Sequence, residues 1–323
     1  MARPASLHQP SSGSAALARD AYDALAPFYD LFTGAYNHEG WLAGLEAWAR
    51  AEGLHGREVL DVGCGTGSSF LPLTTRGYHV TGCDISPEMV ALARARAGRS
   101  AEVLVADMRR LPWMARFDLI TCLDDAMNYL LERADLEAAL ASMWAALRPG
   151  GILIFDTNSL RTYREVFTAT FDRIAGSARF RWYGLADADV DAGSICEACL
   201  EVAGVVPVVT THHVQRHWPV SDLREAAVGA GFNQLAFRGQ LTGGRLVGEP
   251  DEMRDDKVVC LARKDAAPSG FSARLGRTRP QRAQRALRVV TSSLSSADRQ
   301  PRSHVVNTVA SQTSDHAIGG ENQ

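Results

Sequence analysis

The chain has 323 residues, 22% of them charged and 46% hydrophobic, with a formal net charge of −3. That length holds one large or two ordinary domains, and the apolar fraction is enough for a sizeable core, which excludes a mainly disordered or fibrous chain. The near-neutral balance argues against a dedicated nucleic-acid binder, and no run approaches the roughly 18 apolar residues of a membrane span.

The charge is unevenly spread. Residues 265–323 carry eight Arg against four acids, net +4, which leaves residues 1–264 at net −7. Lys257 and Lys264 are the only lysines. Six cysteines, at 64, 83, 122, 196, 199 and 260, sit mostly in apolar, strand-like contexts. With no secretory signal visible at the start, they read as reduced thiols of a cytoplasmic protein.

Residues 1–16 are rich in Ser, Pro, Gly and Ala and are expected to be disordered. From Ala18 to Arg50, Tyr22, Leu25, Tyr29, Phe32, Trp41, Leu45 and Trp48 recur with helical spacing, which predicts two helices joined near Thr33 and Gly34. Short apolar runs then alternate with helix-like stretches. Strands are expected at 58–61, 78–83, 102–106, 117–123 and 152–155. Helices are expected at 67–75, from Ser86-Pro87-Glu88 onward, and at 135–147. That rhythm implies an α/β fold with a doubly wound, mostly parallel Rossmann-like sheet. After Asp156 the rhythm breaks. Residues 170–218 read as an antiparallel insertion lying over the sheet, within a lid of about 165–218. A helix at 221–230 and strands at 232–237 and 257–262 close the fold, so the folded domain spans 17–264. The Arg/Ser-rich stretch 265–323 is expected to be a disordered tail, with some amphipathic character at 282–290. Its Arg series (274, 277, 279, 282, 285, 288) is read as solvated, with binding to an acidic partner or nucleic acid as the alternative.

The informative stretch is Val59-Leu-Asp-Val-Gly-Cys-Gly-Thr-Gly67. A strand runs into a glycine turn and then a helix, which lets backbone approach a ligand closely. A dinucleotide reading fails: counted from Gly63 or Gly65, the third glycine of G-x-G-x-x-G would fall on Ser68 or Phe70. Asp61 stands directly before the turn, where a carboxylate would repel a pyrophosphate but attract an ammonium. Asp84 ends the second strand, where an acid can bond ribose hydroxyls. Asp107 ends the third, followed by Met108. Three acids at three strand ends thus line one crevice.

On these residues the sequence resembles the class I S-adenosylmethionine-dependent methyltransferases. The carriers are Asp61-Val-Gly-Cys-Gly-Thr-Gly67, Asp84-Ile-Ser-Pro-Glu-Met89, Ala106-Asp-Met108 and Leu147-Arg-Pro-Gly-Gly151. The resemblance covers residues 20–264 and implies S-adenosylmethionine as cofactor. It implies that Asp61 and the backbone at Gly63, Cys64 and Gly65 hold the methionine end, while Gly67 permits close helix packing. It further implies that Asp84 binds the ribose, Ile85 packs on adenine, Asp107 and Met108 read the adenine edge, and Leu123 packs near the sulfonium. Ala21-Tyr-Asp23 with Phe28-Tyr-Asp30, together with His212-His-Val-Gln-Arg216, resembles bacterial small-molecule members with an antiparallel lid, amino-sugar N-methyltransferases among them. In such relatives the lid encloses the acceptor and can support a homodimer.

The expected partner is therefore a small-molecule N or O acceptor, with specialised metabolism as the setting and neither membrane nor nucleic acid as partner. His213 is the candidate general base, because its ordinary pKa lies near neutrality. Tyr29 is a second catalytic candidate, and Tyr22, Asp124, Asn128 and Arg216 are the candidate substrate contacts. No metal is expected: Cys196 and Cys199 have zinc-like spacing but no matching second pair. The alternatives are a protein or RNA methyltransferase, or a non-catalytic S-adenosylmethionine-binding sensor or partner subunit.

Overall fold

The structure is a computed structural model and describes residues 12–34 and 37–266. The expectations for residues 1–11 and for the Arg series and amphipathic stretch of the tail lie outside the described residues.

Helix α1 (Ser12–Leu25) opens the described chain. It therefore begins inside the stretch expected to be disordered, where Ala-rich sequence from Ala15 supports a helix. Pro27 breaks the periodicity. A short 3-10 turn (Ala26–Phe28) leads into α2 (Tyr29–Thr33), and α3 (His38–Ala51) follows, capped by the Asn37 side chain accepting from Gly40 N.

The central sheet has eight strands. β1 (Glu58–Val62), β2 (His79–Asp84), β3 (Ala101–Val105), β4 (Phe117–Cys122) and β5 (Leu147–Asn158) run parallel. β10 (Gln234–Leu241), β11 (Arg245–Leu246) and β12 (Lys257–Arg263) extend one edge antiparallel, in the order β11-β10-β12-β5-β4-β1-β2-β3. Helices α4 (Leu71–Thr75), α5 (Pro87–Ala97), α6 (Arg133–Ala146) and α8 (Val220–Ala230) lie among them.

Period-two alternation sends neighbours to opposite faces. Val59, Val80, Leu119, Ile152 and Ile154 join the apolar cluster that includes α3, α4 and α5. Leu60, Ile120, Leu153 and Phe155 join the one that includes α6 and α8. Both faces are thus covered, which is why these parallel strands read as continuous apolar runs.

Two local expectations shift. The helix predicted from Gly67 starts only at Leu71, because Gly67 sits at φ +90°, outside the helical region, and the chain turns through Phe70 before coiling. β5 begins at Leu147 and absorbs the Pro149-Gly-Gly151 stop through an irregular register against β4.

A second sheet carries β6 (Thr170–Ala175), β7 (Ala178–Gly184), β8 (Ile195–Ala203) and β9 (Val209–Arg216), antiparallel in that order and preceded by α7 (Leu160–Val166). Its apolar face (Phe180, Ala198, Leu200, Val202) packs with Leu25, Phe28, Tyr29 and Phe32 of the N-terminal segment. Polar bonds fasten β9 to the end of the central sheet: Asn158 Nδ2 donates to Gln215 Oε1 (3.1 Å) and Asn128 Nδ2 to the Arg216 carbonyl (2.8 Å). Cys196 and Cys199 are three apart on β8, so their side chains leave on opposite faces.

Candidate functional site

The carboxyl ends of β1, β2, β3 and β4 open into one cleft of about 960 Å³, its solvent-open mouth included. Gly63 and Gly65, at φ +68° and +51°, bring bare backbone to its floor, with Cys64 and Thr66 between and beyond them. A Cβ at Gly63 would come within 3.0 Å of Ala126 Cβ. Asp84 stands at the edge. Its two oxygens each accept a backbone amide at 2.9 Å, from Gly65 and Ser86. Burial raises its pKa, and these amide bonds oppose the rise. Ile85, Ala106, Asp107, Met108 and Leu123 continue the wall.

Asp107 is committed to Arg109, which donates to both of its oxygens and also bonds Asp135 at 3.0 Å. Against the upward push of burial, Arg109 holds the Asp107 carboxyl below its ordinary value. Asp61 lies behind the turn rather than in the cleft wall. Its carboxylate accepts the Ser69 and Thr121 hydroxyls at 2.5 and 2.6 Å, and burial pushes its pKa up to about 6 despite them. Gly67 is likewise absent from the wall. A Cβ there would strike the Phe70 ring at 2.8 Å, so the glycine serves packing.

The N-terminal segment roofs the cleft with Ala15, Ala18, Tyr22 and Tyr29. Two latches tie it down: Ser86 Oγ donates to Asp23 at 2.5 Å, and Thr66 Oγ1 donates to Asp30 at 2.6 Å, with Arg96 bonding Asp30, Thr66 and Ser68.

A second chamber, about 950 Å³ with its mouth, lies between this roof, the β4 end and the antiparallel sheet. Aromatic and apolar groups line it (Phe32, Val166, Phe167, Phe171, Trp182), together with Asp125, His213, Gln215 and Lys257. Five residues line both spaces: Tyr22, Tyr29, His38, Asp124 and Tyr129. This shared wall is where a group held in the cleft would meet a molecule held in the chamber.

Two polar chains cross the wall. In one, Tyr22 and Tyr129 hydroxyls lie 3.0 Å apart, Tyr129 is 2.9 Å from His213 Nδ1, and His213 Nε2 is 2.8 Å from Thr211 Oγ1. Burial drives the His213 pKa down to about 4 and lifts Tyr22 and Tyr29 far above the ordinary tyrosine value. His213 is therefore neutral at pH 7 with both ring nitrogens engaged, which makes it a weak base.

In the other chain, His38 Nε2 lies 3.1 Å from Asp124 Oδ2. The Lys257 ammonium bonds Asp125 (3.1 Å) and Asp156 (3.2 Å) and stands 4.0 Å from Asp124. Asp124 and Asp125 are consecutive non-glycine residues at φ +58° and +55°. Such conformations cost roughly 1–3 kcal/mol each and persist only where the surroundings over-determine them. Here the buried Asp156 carboxylate accepts both of their backbone amides, at 3.3 and 2.7 Å.

Of the sequence candidates, Tyr22, Tyr29 and Asp124 meet at the shared wall and His213 faces the chamber. Asn128 and Arg216 do not join them. Asn128 is buried and spends its amide on the Arg216 carbonyl and the Asn158 N–H. Arg216 donates to the Leu131 carbonyl and lies over the Trp218 ring. His38, Tyr129 and Lys257 are not among the candidates that the sequence offers. For Lys257 a signal existed: it is one of two lysines in a chain that otherwise uses Arg. Among the described residues no group of His, Cys, Asp and Glu could hold a metal, and no helix is long and apolar enough to cross a membrane.

S-adenosylmethionine fits the cleft by its chemistry. Bare glycine backbone admits the methionine end, Asp84 retains acceptor capacity for hydroxyls, and carboxylates outnumber cations along the wall, which suits a cationic ligand.

A methyltransferase domain model matches residues 59–151. A Streptomyces cypemycin N-terminal methyltransferase is 30% identical over 232 residues, covering 68% of this chain and 88% of the relative. A Streptomyces fradiae dTDP-3-amino-3,6-dideoxy-alpha-D-glucopyranose N,N-dimethyltransferase is 31% identical over 150 residues, 45% of this chain and 58% of the relative. The matched share of a relative's own length is 88% for the first of these and falls to 38% for a Parasynechococcus marenigrum glycine/sarcosine N-methyltransferase. An S-adenosylmethionine-dependent methyltransferase structure from Clostridium acetobutylicum shares the fold with a TM-score of 0.64 at 20% identity, over 76% of this chain and 99% of that one. The chain belongs to the class I S-adenosylmethionine-dependent methyltransferases and is an enzyme of that family.

Proposed function

We propose that this methyltransferase acts on a small-molecule amine or hydroxyl in the cytoplasm, within specialised metabolism. The observation that carries the reading is the wall shared by cleft and chamber, built of Tyr22, Tyr29, His38, Asp124 and Tyr129. In this reading the Gly63–Gly65 backbone and Cys64 hold the methionine end of the cofactor. Asp61 supports the turn from behind through Ser69 and Thr121, Asp84 accepts the ribose hydroxyls, and Ile85, Asp107, Met108 and Leu123 enclose the base and the path to the sulfur.

S-adenosylmethionine supplies a methyl group already activated on a sulfonium, so the protein's task is alignment and exclusion of water. Positioning alone is worth about 7–11 kcal/mol in favourable cases. The roof of α1 and α2 and the aromatic chamber, with Trp182 stacked on His213 at 5.7 Å, serve both ends. The neutral His213 acts as a positioning residue that fixes Tyr129, and through it Tyr22, at the wall. An amine acceptor attacks in its unprotonated form.

A second reading, methylation of the N-terminal amine of a peptide, is favoured by the name of the relative that matches over two thirds of the chain. Label transfer from methyl-labelled S-adenosylmethionine separates them, using a panel of amino-sugar nucleotides, alkylamines, phenols and short peptides. Label in a small-molecule amine or hydroxyl is expected. Label confined to peptides would overturn the first reading in favour of the second.

A further inference from the structure

The strained turn after β4 is the feature that the cofactor roles above leave unexplained. Asp124 and Asp125 both occupy the left-handed region, and the fold invests a buried carboxylate and a buried ammonium, Asp156 and Lys257, in holding them there. The result of this investment is positional. Asp124 lines both cleft and chamber, whereas Asp125 lines the chamber and not the cleft. Among the described residues, five form the shared wall, and of these Asp124 is the one that carries a carboxylate.

The group that crosses this wall leaves a cationic sulfonium and leaves behind a neutral thioether. With the cofactor placed as proposed, its sulfur would lie at the wall, and the charge lost on transfer would be lost beside Asp124. We infer that Asp124, held by the Asp156–Lys257 brace, is the residue that distinguishes the sulfonium of the methyl donor from the thioether of the spent product, favouring release of the product after transfer. The inference rests on the cofactor placement of the proposed function.

The charges around Asp124 are consistent with this. Lys257 is nearer to Asp125 and Asp156 than to Asp124, so its charge is largely answered by those two. His38 orients the Asp124 carboxylate from α3. Against the burial that would raise it, His38 and Lys257 keep the Asp124 carboxyl below its ordinary value, so it is ionised at neutral pH.

The test compares S-adenosylmethionine with S-adenosylhomocysteine, which differ at the sulfur alone, by calorimetric titration of the full chain. Asp124→Asn keeps a residue that tolerates the left-handed backbone, and Asp124→Gly keeps the backbone if the amide does not fold. In either variant the Kd for S-adenosylmethionine is expected to rise roughly five- to tenfold relative to that for S-adenosylhomocysteine, a change on the scale of one partly screened charge pair. Asp84→Asn, which faces the part the two ligands share, is expected to weaken both by the same factor. An unmoved ratio in both Asp124 variants overturns the inference, as does an equal change of ratio in Asp84→Asn. Failure of the wild-type protein to bind either ligand would instead overturn the cofactor placement beneath it.

Discussion

The cleft and the chamber share a wall but are built in opposite ways. The cleft is made by strand ends and their immediate turns, so each of its key groups lies beside a motif in the sequence: Gly63 and Gly65 after β1, Asp84 and Ile85 after β2, Asp107 and Met108 after β3. The chamber is assembled from segments more than 200 residues apart, running from Tyr22 on α1 to Lys257 on β12. The cleft uses backbone and carboxylates that bond neighbouring amides. The chamber uses aromatic side chains whose placement depends on a second sheet. A binding site for a constant cofactor can be written into local turns, whereas a site for a variable acceptor is written into long-range packing.

The sharpest way to break the contrast is a substitution confined to the cleft. Gly63→Val puts a β-branched residue at φ +68° with its Cβ against Ala126. The strain is expected to weaken S-adenosylmethionine binding roughly 100-fold by calorimetry. Retention of wild-type affinity would show that the glycine backbone is not the floor of the cofactor site. The converse is a substitution confined to the chamber. Phe171 is half exposed and stacked near Trp182. Phe171→Ala is expected to raise the acceptor KM about tenfold while the cofactor Kd stays within about twofold. A matching loss of cofactor affinity would mean that the two spaces do not act separately.

A smaller effect tests the support behind the glycine turn. Burial raises the folded-state pKa of Asp61 to about 6, above its ordinary carboxylate value, so the folded chain holds this proton more tightly than the unfolded chain does. The linked contribution is therefore unfavourable to folding above pH 6 and vanishes as pH falls below about 4. Denaturation measured across this range should show wild type losing stability relative to Asp61→Asn as pH rises from 4 to 6. A constant difference would contradict the burial. The smallest effect concerns His213. Because burial holds it near 4, His213→Gln should leave the shape of the kcat profile unchanged between about pH 6 and 9. Loss of a limb in that interval would restore the histidine as the base.

The same contrast explains what the sequence made legible. The parallel sheet, the antiparallel insertion expected at 170–218 and the cleft-facing acids Asp84 and Asp107 follow from periodicity and from acids placed at strand ends. Asn128 and Arg216 stand apart from the two cavities, because a polar residue near a strand end looks the same in sequence whether it meets a ligand or bonds a backbone carbonyl. Here both serve the joint between β9 and the segment after β4. His213 was read by its ordinary pKa, which burial cancels. His38 and Lys257 reach the wall only through tertiary packing, and the left-handed Asp124–Asp125 pair depends on Asp156, 31 residues beyond Asp125.

A crystal structure with S-adenosylhomocysteine bound tests the account most directly. The ribose is expected at Asp84, the homocysteine end over Gly63–Gly65, and the sulfur at the wall of Tyr29 and Asp124, open to the Trp182 chamber. A sulfur turned away from that wall, with no path from it into the chamber, would contradict the account.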